Sequence, residues 1–273
     1  MLKSTGILAV DVMNNKTFRA FDVLGNIAIV KFPDRISAKE KKKFALEILK
    51  KNKSIKTILE KTRKFKGRLR KQETKYVAGE KTKEALYKEN GCVFRFNIDK
   101  AYFSSRLANE RKEIAGEIKR GDIILVMFAG VAPFPIVIAK NSQAKKVYSN
   151  EINREANKYA ELNIRLNNVK DRVFLLPGDI KRIAGKLKEK IDVIVMPRPQ
   201  LKETFLKEAF ALSKKGTRIY YYDFVEKDKI NEIVDKIKKE AWLAKKKIKI
   251  LKTKSAGEIA PYKIRVRVDF VVV

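Results

Sequence analysis

The sequence predicts an α/β protein: a mainly parallel sheet covered by helices on both faces, with an antiparallel last strand and a small α+β part before it. Three observations predict this. Between residues 121 and 251, short apolar runs alternate with segments of helical period, the pattern of parallel strands joined by helical crossovers. The chain then ends in a period-two run, Ile264 to Val273, with no helix after it, which suits an antiparallel strand. Before residue 99 the pattern is irregular, with hairpin signals and one capped helix.

Taken in order, residues 1–20 are mixed, and Gly6 to Val12 reads as a short strand. Phe21 to Phe32 reads as a hairpin or bent strand around Gly25-Asn26. Ser37 is placed to cap a helix to Lys51, with Phe44, Ala45, Ile48 and Leu49 on one face. Ile55 to Glu60 fits a strand or a helix start, and Lys61 to Lys75 is crowded with cations. Tyr76 to Gly79 and Cys92 to Ile98 read as strands flanking a turn at Asn90-Gly91. Residues 1–98 therefore form the small domain, and 99–120 a connector whose helix, Arg106 to Lys119, stops at Gly121.

In the second domain, 121–273, strand Ile123–Met127 meets the small-residue turn Ala129-Gly130-Val131-Ala132 and helix Pro133–Ala139. Strand Lys146–Ser149 follows and ends beside Glu151. The alternation continues as helix Arg154–Leu166, strand Val173–Leu176, helix Ile180–Leu187 and strand Ile191–Val195. Helix Leu201–Leu212, strand Thr217–Asp223, helix Lys227–Lys239 and strand Lys247–Leu251 complete it.

Composition narrows the function. Sixty-four Lys and Arg against 32 Asp and Glu give a formal charge of +32, which points to a polyanionic partner, nucleic acid first. There is one cysteine, Cys92, and no histidine, so Ser–His and Cys–His catalysis are excluded, and neither a structural zinc nor an internal disulfide is expected. No metal site is expected. The chain has no membrane-length apolar run and no signal peptide, so a soluble cytoplasmic protein, acting as a monomer, is expected.

In open parallel sheets, ligands sit beyond the carboxyl ends of the strands. Four such ends carry chemistry: Phe128 to Phe134, Asn150-Glu151, Pro177-Gly178-Asp179 and Met196-Pro197-Arg198-Pro199. Glu151 suits a ribose diol, and Asp179 suits an exocyclic adenine amine, though each acid equally suits a helix N-cap or first turn. No Walker lysine follows the first turn, which disfavours a triphosphate. A nucleoside cofactor without a phosphate chain fits better, with S-adenosylmethionine the leading candidate.

The motifs now carry a resemblance. Phe103-Ser104-Ser105-Arg106-Leu107-Ala108-Asn109-Glu110-Arg111 resembles the FSPRLATER motif of the archaeal and eukaryotic tRNA guanine-37 N1-methyltransferases. Met127 to Phe134, MFAGVAPF, is similar to that family's MFAGIGPF; Glu89 to Cys92 matches ENGC, and Val77 to Glu80 resembles IAGE. The resemblance implies a class I S-adenosylmethionine-dependent methyltransferase fold, Rossmann-like, after a smaller tRNA-contacting domain, with residues 1–20 a stub of the family's separate N-terminal domain. It implies that Phe128, Ala129, Gly130, Val131, Pro133, Phe134, Glu151, Ile152, Asp179, Ile180 and Met196 hold the cofactor. Glu110 matches the general base that guanine N1 requires, Arg70 an arginine near the target base, and Arg106 the motif arginine. Glu110 also suits a helix salt bridge to Arg106, four residues away, as the lesser alternative. Tyr102 or Phe103 is a candidate to stack on the extruded base, with interdomain packing the alternative for Phe103.

Three departures stand out: Val126 replaces an acid, Ala132 replaces a glycine, and Met196-Pro197-Arg198-Pro199 replaces the family's NLP segment. Pro197 then falls where an asparagine contacts the base, so Arg198 or Pro199 must shape recognition differently, or the substrate is a wyosine precursor methylated on carbon 7. Two other readings stay open: an aminocarboxypropyl transferase of the wyosine pathway, and a non-catalytic RNA-binding protein.

Overall fold

The computed structural model describes residues 21–66 and 71–273. The segment expected as an N-terminal stub lies outside the described residues. The chain divides into two compact units, residues 1–105 and 106–273. The division falls inside the segment read as a connector.

In the first unit, β1 (Phe21–Leu24) and β2 (Ile27–Val30) pair as the expected hairpin around Gly25-Asn26. Gly25 has φ +59°, and a Cβ there would stand 1.9 Å from the Leu86 carbonyl oxygen, so no other residue fits. Helix α1 (Ala38–Lys51) opens with a capping box between Ser37 and Glu40 and buries Phe44, Ala45 and Ile48. The ambiguous stretch after Ile55 is a strand: β3 (Thr57–Lys66) runs parallel to β2 and antiparallel to β4 (Lys71–Gly79). Tyr76–Gly79 and Cys92–Ile98, read as strands flanking a turn at Asn90-Gly91, do fall in strands, the second ending at Asn97, but another strand precedes that turn. The partner of β6 (Cys92–Asn97) is β5 (Glu84–Glu89), across Asn90 and Gly91, both at positive φ as a two-residue hairpin turn prefers.

In the second unit, α2 (Ala108–Glu117) follows a single 3-10 turn, Ser105–Leu107, and is shorter than the helix expected from residue 106 to 119. The alternation then runs β7 (Ile123–Met127), α3 (Pro133–Asn141), β8 (Lys146–Glu151), α4 (Arg154–Leu166), β9 (Val173–Pro177), α5 (Ile180–Ile183), β10 (Ile191–Met196) and α6 (Leu206–Leu212). It closes with β11 (Ser213–Glu226), α7 (Ile230–Leu243), β12 (Ile248–Ala260) and β13 (Lys263–Val272). Their order in the sheet is β12-β13-β11-β10-β7-β8-β9. β13 runs opposite to the other six strands of this sheet, antiparallel to both β11 and β12. β7 and β10 are apolar throughout except for Asp192, because helices cover both of their faces. One face packs Leu125, Ile194, Met196, Phe210, Tyr221, Ile237 and Phe270 into a single core.

Two further helices are shorter than the sequence suggested. α5 is one turn long and gives way to a turn containing Gly185. α6 starts at Leu206, because Phe205 sits at φ +59° and the segment before it is held in irregular form by a buried arginine.

Candidate active site

The carboxyl rim of β7, β8 and β9 is laced together by backbone and amide bonds. Ala129 N–H donates to the Asn150 carbonyl at 2.8 Å, and Gly178 N–H to the Glu151 carbonyl at 2.9 Å. The Asn150 amide donates to the carbonyls of Leu176 and Gly178 at 2.8 and 3.0 Å. Asn157 on α4 donates to the Glu151 carbonyl at 2.9 Å, and buried Asn163 to the Val131 carbonyl at 3.1 Å. Asn150 belongs to one of the four strand ends read from sequence; Asn157 and Asn163 do not, and their one legible signal is the repetition of Asn along the otherwise amphipathic α4.

Glu151 stands at the centre of this rim. Its carboxylate accepts from Gly130 N–H at 2.8 Å and from Asn153 N–H at 2.7 Å. Burial raises its pKa above the ordinary carboxyl value, against the lowering effect of those backbone donors. The turn that supplies Gly130 is strained: Phe128, Gly130 and Ala132 all have φ near +60°. Ala132 is not a glycine and also precedes a proline, two reasons for it to avoid this region. Pro133 then begins α3, where its missing N–H costs nothing.

These features fit S-adenosylmethionine. A carboxylate offers about four acceptor sites, so Glu151 keeps capacity for ribose hydroxyls beyond its backbone donors. Half-buried Phe128 and Ile152 offer apolar surface beside it, and Phe128 is braced edge-on by Phe205 at 4.9 Å. Ile180 and Met196 are buried, Ala129, Val131, Pro133 and Phe134 lie within the core, and Asp179 caps α5 through Lys181 N–H at 3.1 Å.

On the other side of the sheet, the structure places Glu110 in a buried ionic network rather than at an open surface. Its carboxylate accepts from Tyr222 OH at 2.9 Å, Arg267 Nη1 at 2.8 Å and Lys254 Nζ at 2.8 Å. Arg267 is fully buried and also pairs with Glu113 and Asp269, each at 2.8 Å. Tyr222 links Glu110 to the turn, since its ring meets Phe134 at 6.1 Å. Neither Arg267 nor Tyr222 was read as functional from sequence, although Arg265, Arg267 and Asp269 alternate with Val and Phe in a way that marks one charged strand face.

The remaining sequence-predicted residues are spread over both units. Arg198 was expected to offer a donor to the base, but its guanidinium is buried and donates to Asp223 at 2.5 Å and to the carbonyls of Leu201 and Glu203. It pins the loop that Pro197 and Pro199, both half-buried, begin and continue. Phe103, expected to stack on the base or to fill an interdomain core, packs inside the first unit against Phe96 at 4.7 Å and Tyr87 at 4.9 Å. Tyr102 is half-buried in that unit and Arg106 is exposed in the second. Arg70 lies outside the described residues. Among the described residues no cluster of His, Cys, Asp or Glu is arranged to hold a metal ion, and no helix is long and apolar enough to cross a membrane.

Comparison with known proteins gives this geometry a family. The pattern of the TRM5/TYW2 methyltransferase domain matches residues 85–251, and that of the TYW2 N-terminal domain residues 9–82. The chain is 34% identical over 254 residues to the tRNA (guanine(37)-N(1))-methyltransferase Trm5b of Pyrococcus abyssi, covering 92% of this chain and 74% of that protein. It is 32% identical to the tRNA (guanine(37)-N(1))/4-demethylwyosine(37)-methyltransferase Taw22 of Nanoarchaeum equitans, covering 92% of this chain and 98% of that one. The crystal structure of the Pyrococcus abyssi Trm5b superposes with a TM-score of 0.82 at 32% identity, covering 93% of this chain and 75% of that one. The complex of aTrm5 with tRNALeu superposes at 0.79 and 27% identity, covering 93% and 72%. With its rim, its motifs and these relatives in agreement, the chain belongs to the TRM5/TYW2 methyltransferase family.

Proposed function

We propose that this protein methylates the base at position 37 of tRNA, at N1 of guanosine, C7 of 4-demethylwyosine, or both, using S-adenosylmethionine, and that it acts as a monomer on the anticodon stem-loop. The observation that carries this reading is the strained turn at Gly130 tied to the Glu151 carboxylate at 2.8 Å, at the strand end where a ribose is expected. Family membership supports methyl transfer, and the relative spanned almost end to end, Taw22, is named for both reactions.

When bound, S-adenosylmethionine supplies a methyl group activated by its sulfonium. Glu151 orients its ribose, and Phe128, Ile152, Ile180 and Met196 exclude water from its base. For guanosine, the N1 proton must leave, and Glu110 is the proposed acceptor, with Tyr222 and Arg267 fixing its carboxylate. Arg70 is proposed to stabilise charge building on O6, and Arg106 and Tyr102 to contact the nucleotide. The Pro197–Glu203 loop, held by Arg198, borders the base without a side-chain amide at 197.

Nucleoside mass analysis tests this, after reaction with a tRNA carrying guanosine-37 and with one carrying the wyosine precursor. A gain of one methyl on either base supports the reading and says which atom class is served. A gain of an aminocarboxypropyl group, or no product with either tRNA, overturns it.

A further inference from the structure

The antiparallel end of the sheet runs well past the rim. β10 ends at Met196, opposite Tyr221 of β11. β11 continues beyond that level for five more pairs with β13, from Tyr222–Arg267 to Glu226–Lys263. At about 3.3 Å per residue this three-stranded extension stands roughly 16 Å above the strand ends that frame the cofactor rim.

Directly paired residues share a face, so Tyr220, Tyr222 and Phe224 of β11 lie beside Asp269, Arg267 and Arg265 of β13. Helix α2 supplies the acids for this face. Glu110, Glu113 and Glu117 lie one above the other along it and meet Arg267, and the first two also meet Lys254 of β12. But α2 begins at Ala108, and the row of cations continues past it.

Arg265 is next in that row. It is 9% exposed, and its guanidinium lies over the Phe224 ring at 5.2 Å. Among the described residues no acceptor meets it. The nearby acids are occupied: Glu226 pairs with Lys229 at 2.7 Å and Glu258 with Lys227 at 2.5 Å. A guanidinium without an anion beside an aromatic ring, on a strand whose other arginine is fully paired, keeps its donors for a phosphate or a base. Beyond it, in the β12–β13 turn, Tyr262 is 82% exposed and held at φ +61°, its carbonyl fixed by Lys227 N–H at 3.0 Å. A large aromatic presented on a pinned turn beside Lys263 and Arg265 has the chemistry of a single-strand stacking platform.

We propose that Tyr262, Phe224 and Arg265 form a second RNA-binding site on the methyltransferase unit. Arg265 takes a backbone phosphate, and Tyr262 stacks on an unpaired base of the tRNA substrate other than the one being methylated. This rests on the proposed function for the identity of the RNA.

The test uses the full chain, unmodified tRNA and S-adenosylmethionine, with Tyr262→Ala, Tyr262→Trp and Arg265→Gln. Tyr262 is too exposed for its loss to unfold the protein. Tyr262→Ala should raise KM for tRNA about 10-fold, the usual effect of losing one stacked base, with kcat and cofactor affinity unchanged. Tyr262→Trp should restore it. Arg265→Gln should raise KM similarly and reduce the salt dependence of tRNA affinity by about one phosphate's worth. Unchanged KM and salt slope in both Tyr262→Ala and Arg265→Gln would overturn the proposal. If the wild-type protein methylates no tRNA, the proposed function fails, and direct tRNA binding by the same variants still decides this site.

Discussion

Glu110 shows how much a single side chain's neighbours matter. Its partners Tyr222 and Arg267 lie more than a hundred residues along the chain, whereas sequence offered only Arg106, one helical turn away. Glu110→Gln is therefore expected to do two things. It should cut turnover by about 10²-fold or more, and it should cost about 2–4 kcal/mol of stability, because Arg267 and Lys254 lose a charged acceptor. A thermal melt alongside kinetics separates the effects; full activity with a normal melt removes Glu110 from both roles. Ala132 makes a simpler case. It holds φ +66° directly before Pro133, and Ala132→Gly should stabilise the protein by about 0.5–1 kcal/mol. No gain in a denaturant midpoint would mean that the turn is not strained.

At the scale of elements, α2 is fastened to the antiparallel end of the sheet by charge more than by apolar contact. Glu113 is the clearest member of that fastening. Partial burial opposes its charge, but hydrogen bonds from Lys254, Arg267 and Lys252 outweigh it and bring its pKa down to about 2. A carboxyl lowered on folding stabilises the protein fully above its unfolded value and loses that contribution as pH falls toward the folded value. The stabilisation, at most about 3 kcal/mol, should thus fade between about pH 4.5 and 2. Glu113→Gln should flatten this part of the stability–pH curve in urea titrations; an unaltered curve would contradict the assignment. The strands of this unit were legible where burial on both faces makes them continuous apolar runs, as in β7 and β10. Strand β12 was read as ending at Leu251, because KTKSAGEIA carries neither apolar alternation nor a long apolar run. Its pairing comes from β13 and its charge balance from Glu113, neither visible locally. The early end of α5 and the late start of α6 were likewise hidden. Nothing in residues 201 to 205 shows that Arg198 has claimed their carbonyls.

For the whole molecule, the dominant physical fact is a formal charge of +32. Many acids are already engaged in ion pairs, so the excess is carried largely by exposed lysines. Affinity for tRNA should fall steeply with salt, with a log–log slope of roughly −4 or steeper, corresponding to several phosphate contacts. A filter-binding series at rising salt measures it, and a slope near zero would mean that phosphates do not lead the binding. The fold class and the turn tied to Glu151 were legible because the strand–turn–helix–strand–acid order at residues 122–151 is local. The proposed target-base side was less so, because the loop of Pro197 and Pro199, buried Arg198 and the β11–β13 pair come from distant parts of the chain.

The position of β13 between β11 and β12 also sets an order of events during synthesis. Residues 263–272 fill a slot flanked by two strands that leave the ribosome earlier, so the sheet has to hold that slot open, or form it late, until they arrive. Until then Glu110, Glu113 and Glu117 lack Arg267, and the helix that bears them keeps its bonds to Tyr222 and Lys254 without the arginine that joins all three acids. Maturation of the second unit is in that sense completed from its far end, and a ribosome stalled before residue 263 would display the unpaired edge of β11.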